Sequence, residues 1–330
     1  MKKFVSLLLA MIMVLSLAAC GAKENAPAAS GGSAAEPIVL KLNHPSADGG
    51  PYDLMSKEFA RLIEEKTEGR YKIEIYNSNA LGTQEEALEA CALGTMDMCV
   101  TSDDKLATYA PEWGYLGLPF IFEDVDDVAE NMNGEMGAYL SGLLEDKGLM
   151  IMSFFENGFR NVTAHKPINV PEDLKGVKIR SVTTEGVVAF FEAAGAVVTS
   201  VSFSELYSAL QLGTVDAQEN PYANIRDKKF YEVQEYMTVD MHSHTAEPLV
   251  MSMATWNKLS PEDQAIFKEC GLAASEWAYQ YAKDTDADNR AYLEENMNVI
   301  DPDMGPWLAL AEKTNAEFLP KYEAVAALKK

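Results

Sequence analysis

The sequence predicts an α/β protein of two similarly built lobes, with a ligand cleft between them and a long helix spanning both. Three observations carry that prediction. Residues 174–221 alternate in type: 177–182 have the period-two pattern and β-branched content of a strand, and 185–194 read as helix. Residues 196–201 are β-rich again, and a second helix opens at Ser204 and closes at Gly213, a residue suited to the position after a helix end. This β-α-β-α order is the grammar of an α/β sheet. Second, Leu93-Gly94-Thr95-Met96-Asp97 recurs as Leu212-Gly213-Thr214-Val215-Asp216, each copy following a helix with Glu and Ala. The copies stand too far apart for a solenoid repeat and suggest two related lobes. Third, Ser260-Pro261-Glu262-Asp263 starts a helix that no proline interrupts before Pro302. At 1.5 Å per residue its roughly 37 residues would reach about 55 Å, more than one lobe needs.

Taken in order, the chain opens with a leader. Lys2 and Lys3 precede an apolar run at 4–17, too short for a comfortable membrane span. Leu17-Ala18-Ala19-Cys20-Gly21 resembles a bacterial lipobox, so Cys20 is the expected lipidated N-terminus and the membrane contact is a lipid anchor. Residues 21–37, rich in Ala, Gly, Ser and Pro, read as a flexible tether. Strands are expected at 38–43, 71–76, 97–101 and 150–155, and helices at 53–67, 83–93 and 125–147. An apolar bend lies at 118–122, and strand-like material at 239–253 carries His242, His244 and Glu247. A last helix is expected at about 307–327. The expected division is 38–157 plus 246–285 for lobe one and 158–245 plus 286–330 for lobe two.

Composition narrows the partners. Of 330 residues 48% are hydrophobic, enough for a sizeable core. Lys and Arg number 27 against 51 Asp and Glu, a net charge of −24, which repels nucleic acid and excludes that class of partner. An anionic ligand would therefore be held by local donors, and each of the six arginines becomes worth placing. Cys91, Cys99 and Cys270 have no metal-ligand spacing; buried thiols and a Cys91–Cys99 disulfide both remain open. No cofactor motif and no nucleophile or metalloprotease signature occurs, so an enzyme is not expected.

Arg180 stands at the end of a strand, just before a helix N-terminus. Ligands of open α/β sheets bind at such places, and a guanidinium can grip a carboxylate with two parallel hydrogen bonds. Alone, it reads equally well as a surface arginine in a salt bridge. Arg160 follows a strand end through a glycine turn, a comparable location.

At Gly176-Val177-Lys178-Ile179-Arg180, Phe203-Ser204-Glu205-Leu206-Tyr207 and Asp216-Ala217-Gln218-Glu219-Asn220-Pro221, the chain resembles the DctP-type solute receptors of TRAP transporters. Glu64–Arg70, Leu118-Pro119-Phe120, Asn157-Gly158-Phe159-Arg160-Asn161 and Phe230–Gln234 match in the same order. The resemblance implies a periplasmic-binding-protein-like receptor, a monomer, that closes on a small organic acid and delivers it to the small and large subunits of a TRAP permease. It implies that Arg180 pairs with the ligand carboxylate, that Asn220 lies beside it, that Arg160 is a second cationic contact and that Phe203 packs on the ligand. Tyr222 follows the same motif, and from lobe one Asn43, His44, Ser102 and Asp103 would face the cleft. A sugar acid such as a uronate is favoured because asparagine, histidine and serine suit hydroxyls; a C4-dicarboxylate would use Arg160 for its second charge. Without the family, Phe203 could be core, Asn220 a turn residue and His44 structural. An ABC-type receptor, a surface adhesin lipoprotein and an enzyme are the rival readings. The expected location is the outer face of the cytoplasmic membrane.

Overall fold

The computed structural model describes residues 36–330; the leader, Cys20 and nearly all of the tether lie outside the described residues. Two sheets organise this part of the chain. The strands are β1 (Ile38–Asn43), β2 (Tyr71–Tyr76), β3 (Met98–Val100), β4 (Leu149–Phe155), β5 (Phe159–Ala164), β6 (Lys178–Arg180), β7 (Val197–Thr199), β8 (Ala217–Asn220), β9 (Tyr236–His244), β10 (Glu247–Ser252) and β11 (Asn298–Ile300). The first sheet has the order β2-β1-β3-β10-β4 and the second β11-β9-β5-β8-β6-β7. β1 runs parallel to β2 and β3, and β6 parallel to β7 and β8, so each sheet has a βαβ half. β10 and β5 run antiparallel to their neighbours, and they are where the chain changes lobe.

The repeated motif is the same corner built twice. Gly94 and Gly213 take the left-handed conformation, at φ of 76° and 68°, which a glycine adopts without steric penalty. Thr95 and Thr214 then donate from their backbone N–H to Ala90 and Ala209, each at 2.9 Å. Asp97 accepts from the backbone N–H of Lys41, and Asp216 from that of Lys178, both at 3.0 Å. Each motif thus ties the end of one helix to a neighbouring strand.

The long helix spans Pro261–Asn296, 36 residues, with the Ser260 hydroxyl capping it through the Asp263 N–H at 3.1 Å. Its first half buries Phe267, Cys270, Ala274 and Ala278 against the first sheet, and Leu293 joins the core of the second. Gly271, a residue type that weakens a helix interior, has a packing reason here. A Cβ there would sit well inside contact distance of the Met152 carbonyl, so the helix lies directly on β4.

Two expected helices are broken. The span 125–147 divides into Val125–Met132, Glu135–Gly142 and a 3-10 turn, interrupted at Asn133-Gly134. The last helix is Met304–Phe318, followed by a 3-10 turn and Glu323–Ala326. Tyr322 and Val325 pack into the core of the first sheet with Trp113 and Leu116, so the tail returns to lobe one although the sequence suggested lobe two. The described cysteines, Cys91, Cys99 and Cys270, are buried free thiols, which removes the disulfide alternative.

Candidate functional site

β6 ends at Arg180, and the loop 181–184 leads into the helix Glu185–Ala193. The Arg180 guanidinium is buried, its Nε donates to the Val201 carbonyl at 3.0 Å, and it lies 6.0 Å from the centre of the Phe203 ring. Among the described residues Nη1 and Nη2 have no hydrogen-bond partner, and no carboxylate lies within 4 Å. Burial above all pulls its pKa below the ordinary arginine value, with Glu219 opposing and Arg160 adding to the effect. An arginine still keeps its proton, so this is a buried positive charge facing a cavity with two free donor arms.

Arg160 differs. Its Nε and Nη2 hold the Glu219 carboxylate, Nη2 also donates to the Glu219 carbonyl at 2.6 Å, and Nη1 donates to Thr245 at 3.0 Å. Glu219 further accepts from the Val182 N–H at 2.9 Å, which fixes the loop after Arg180. Burial works against the ionised form of Glu219, but Arg160 and His242 outweigh it and hold its pKa well below the carboxylate range. His242 lies between Asp240 (2.8 Å) and Glu219 (3.3 Å); these acids overcome burial and raise its pKa to about 9. Arg160 is therefore the interior half of a buried ion pair, not a second open cationic arm.

Arg180, Arg160, Val182, Phe203, Asn220 and Asn224 line one wall of the cavity, and Tyr52, Gln84, Ser102, Asp104 and Glu247 the other. Its volume is about 20 Å³, room for about one water. An organic molecule enters only when the walls part. Contacts across it are direct: Asp104 accepts from the Thr183 N–H (3.1 Å) and hydroxyl (2.8 Å), and Asn224 donates to the Tyr52 hydroxyl (3.0 Å). Burial disfavours the Asp104 charge, but Lys105 at 3.0 Å, Ser102 and Thr183 hold its pKa down at about 2. Asn220 accepts from Asn224 at 3.2 Å.

Several expected lobe-one residues face elsewhere. Asn43 bonds the backbone of Gly82 and Leu81, both at 3.0 Å, and shapes that loop. His44 is fully buried 3.4 Å from Asp53, and burial lowers its pKa to about 4. Asp103 turns inward to accept from the Ala246 N–H at 3.1 Å; burial and then Asp104 lift its pKa to about 7. Its neighbour Asp104 is the one at the cavity. Tyr222 lines a different and larger cavity, about 340 Å³, beside the long helix. That cavity's cations are engaged: Arg290 by Asp301 and Glu294, and Lys283 by Asp126. Among the cations lining the two cavities, Arg180 is the one without an ion-pair partner among the described residues. Tyr52, Gln84, Asp104, Asn224 and Glu247 were not singled out as ligand contacts by the sequence. Asn224 alone had a local signal, one helical turn past Asn220. Among the described residues no cluster of three or more metal-ligating side chains occurs.

Two α/β lobes joined by crossing strands, with a closable polar cavity at the strand ends, are the architecture of a hinge-closing solute receptor. The chain belongs to the DctP family of TRAP-transporter receptors: the family described as bacterial extracellular solute-binding protein, family 7, matches residues 42–320. It is 33% identical over 259 residues to the C4-dicarboxylate-binding protein DctB of Bacillus subtilis (strain 168), covering 78% of this chain and 73% of that one. A TRAP periplasmic solute-binding protein from Polaromonas sp. JS666 bound to D-erythronate superposes with a TM-score of 0.85 at 30% identity, covering 88% and 98% of the two chains. One from Sulfitobacter sp. NAS-14.1 with bound β-D-galacturonate superposes at 0.84 with 27% identity, covering 88% and 99%. Receptors of this family are extracytoplasmic and work with membrane permease subunits.

Proposed function

We propose that this chain captures an organic acid through a carboxylate–Arg180 pair, closes on it and hands it to the small and large subunits of a TRAP permease. The observation that carries the reading is the contrast between two buried arginines. Arg160 is neutralised by Glu219, whereas Arg180 lines the cavity with neither Nη group hydrogen-bonded among the described residues. A buried charge left uncompensated is strongly unfavourable, and one external carboxylate completes it with two charge-assisted hydrogen bonds. Asn220 and Phe203, in the same wall, flank that carboxylate.

With Arg160 engaged, the second charge of a C4-dicarboxylate meets no open cation in the cavity, so a hydroxylated monocarboxylate such as a sugar acid is the favoured ligand. The lobe-one groups that meet its hydroxyls are Gln84, Ser102 and Glu247 rather than Asn43 and His44. A lipidated Cys20 followed by the 21–37 tether would hold the receptor, as a monomer, at the outer face of the cytoplasmic membrane.

A thermal-shift screen of the chain from Gly21 onward against uronates, aldonates, C4-dicarboxylates, 2-oxo acids and amino acids tests this. A ligand at about 100 times its Kd adds about 2.7 kcal/mol to stability, a clear rise in Tm. The expected result is a sugar-acid shift that disappears in Arg180→Ala. No shift with any acid, in wild type or variant alike, would overturn the assignment.

A further inference from the structure

Glu247 begins β10, where the chain re-enters the first lobe, and it lines the Arg180 cavity. It is 2% exposed. Its Oε1 accepts from the Tyr52 hydroxyl at 2.7 Å, and that hydroxyl in turn accepts from Asn157 at 2.8 Å and Asn224 at 3.0 Å. The other oxygen, Oε2, is buried and has no partner among the described residues. Among the described residues no lysine, arginine or histidine forms an ion pair with this carboxyl.

A lone carboxylate in that position would be very unfavourable, so the group keeps its proton. Burial is the main cause of its raised pKa. Asp103 and Asp104 push the same way, while the Tyr52 hydrogen bond and Arg160 oppose. With Oε1 receiving Tyr52, the proton sits on Oε2. That leaves a buried O–H donor without an acceptor on the wall opposite Arg180, and buried donors are nearly always satisfied.

We infer that Glu247 is the specificity-determining residue for the far end of the ligand, its Oε2–H donating to a hydroxyl of a hydroxylated monocarboxylate whose own carboxylate sits on Arg180. This rests on the Arg180 reading above. A second carboxylate placed there would lie beside the ionised Asp104 with Arg160 already neutralised by Glu219. An ammonium would find no ionised partner in Glu247. A hydroxyl matches: it accepts from Oε2, and its own proton can go to the Gln84 side-chain oxygen, whose residue lines the same wall.

The test is calorimetric titration of wild type, Glu247→Ala, Glu247→Gln and Arg180→Ala with D-erythronate and D-galacturonate, with butanoate and succinate as hydroxyl-free comparators. Wild type should bind at least one hydroxylated acid 10-fold or more tightly than either comparator. Glu247→Ala should compress that ratio to within about threefold, and Glu247→Gln, which restores a neutral donor, should recover most of it. A merely structural role would weaken all acids alike and leave the ratio intact. An unchanged ratio in Glu247→Ala, or succinate outbinding both hydroxylated acids in wild type, overturns the inference. If Arg180→Ala still abolishes binding in that case, the Arg180 assignment stands by itself. If no acid binds wild type, both fall.

Discussion

Glu219→Gln is the most informative single perturbation, because it strikes stability and selectivity in opposite directions. The native carboxylate compensates Arg160, accepts from His242 at 3.3 Å and fixes Val182 at 2.9 Å, all in the interior. Gln keeps the volume and one acceptor but leaves the Arg160 charge uncompensated. Removing one partner of a buried pair costs about 3–5 kcal/mol. At about 2–4 °C per kcal/mol for a chain of this order of size, Tm should fall by roughly 6–20 °C. The same change uncovers a second cation at the cavity wall. Succinate, which wild type should bind poorly, should then gain at least 10-fold relative to D-erythronate and restore much of the lost Tm. Differential scanning fluorimetry and calorimetric titration read both effects. A Tm drop under about 2 °C, or an unchanged succinate-to-erythronate ratio, would refute the claim that Glu219 is what keeps Arg160 from the ligand.

Two further predictions follow from the packing. His242, set between Asp240 and Glu219, flanked by Phe190 and Phe191 and with Arg160 beyond Glu219, has a folded pKa of about 9 against 6.5 for the free group. Its stabilisation is fully present below about pH 6.5 and lost as pH rises through about 9, an effect of up to about 3 kcal/mol. Tm should therefore decline from pH 6.5 to 9.5 in wild type and less steeply in His242→Gln; parallel slopes would remove the pairing. Gly271→Ala places a methyl against the Met152 carbonyl, and such overpacking costs about 1–3 kcal/mol. Tm should fall by several degrees with little change in helical circular dichroism, whereas an unchanged Tm would mean the helix does not sit that close to β4.

Much of the fold was legible because its signals are local. The period-two runs at β1, β2 and β6, the Ser260-Pro261 helix start and the glycine corners at 94 and 213 each require a few neighbouring residues and nothing else. The breaks were less so. Asn133-Gly134 is a weak interruption in an otherwise helical pattern, and sequence alone does not say that the chain turns there. The site divided in the same way. Arg180 and Asn220 end strands, so their direction follows from the sheet. Asp103 and Asp104 are adjacent acids, and which one reaches the cavity depends on a backbone N–H at Ala246, far along the chain. The opposite wall depends on contacts such as Tyr52 with Glu247, nearly two hundred residues apart, and no local pattern encodes those.

The cross-cavity bonds also explain how a receptor can be closed and still bind. Asp104 to Thr183, Asn224 to Tyr52 and Lys228 to the Pro45 carbonyl (2.6 Å) join the lobes directly. In an open form their groups are free to meet water, so each contributes to the closed form alone. Thr183→Val removes the hydroxyl bond to Asp104 at nearly constant shape and keeps the backbone one. A neutral-to-charged bond of this kind contributes about 1.5–3 kcal/mol net, so closure, and with it the affinity for every ligand, should weaken by roughly 12- to 160-fold. The effect should be the same for hydroxylated acids and for succinate, because the bond acts on the lobe equilibrium and not on the ligand. Selectivity would then reside in Glu247 and Glu219, and affinity in closure. A Thr183→Val variant that weakened one acid and spared another would contradict that separation and place Thr183 against the ligand itself.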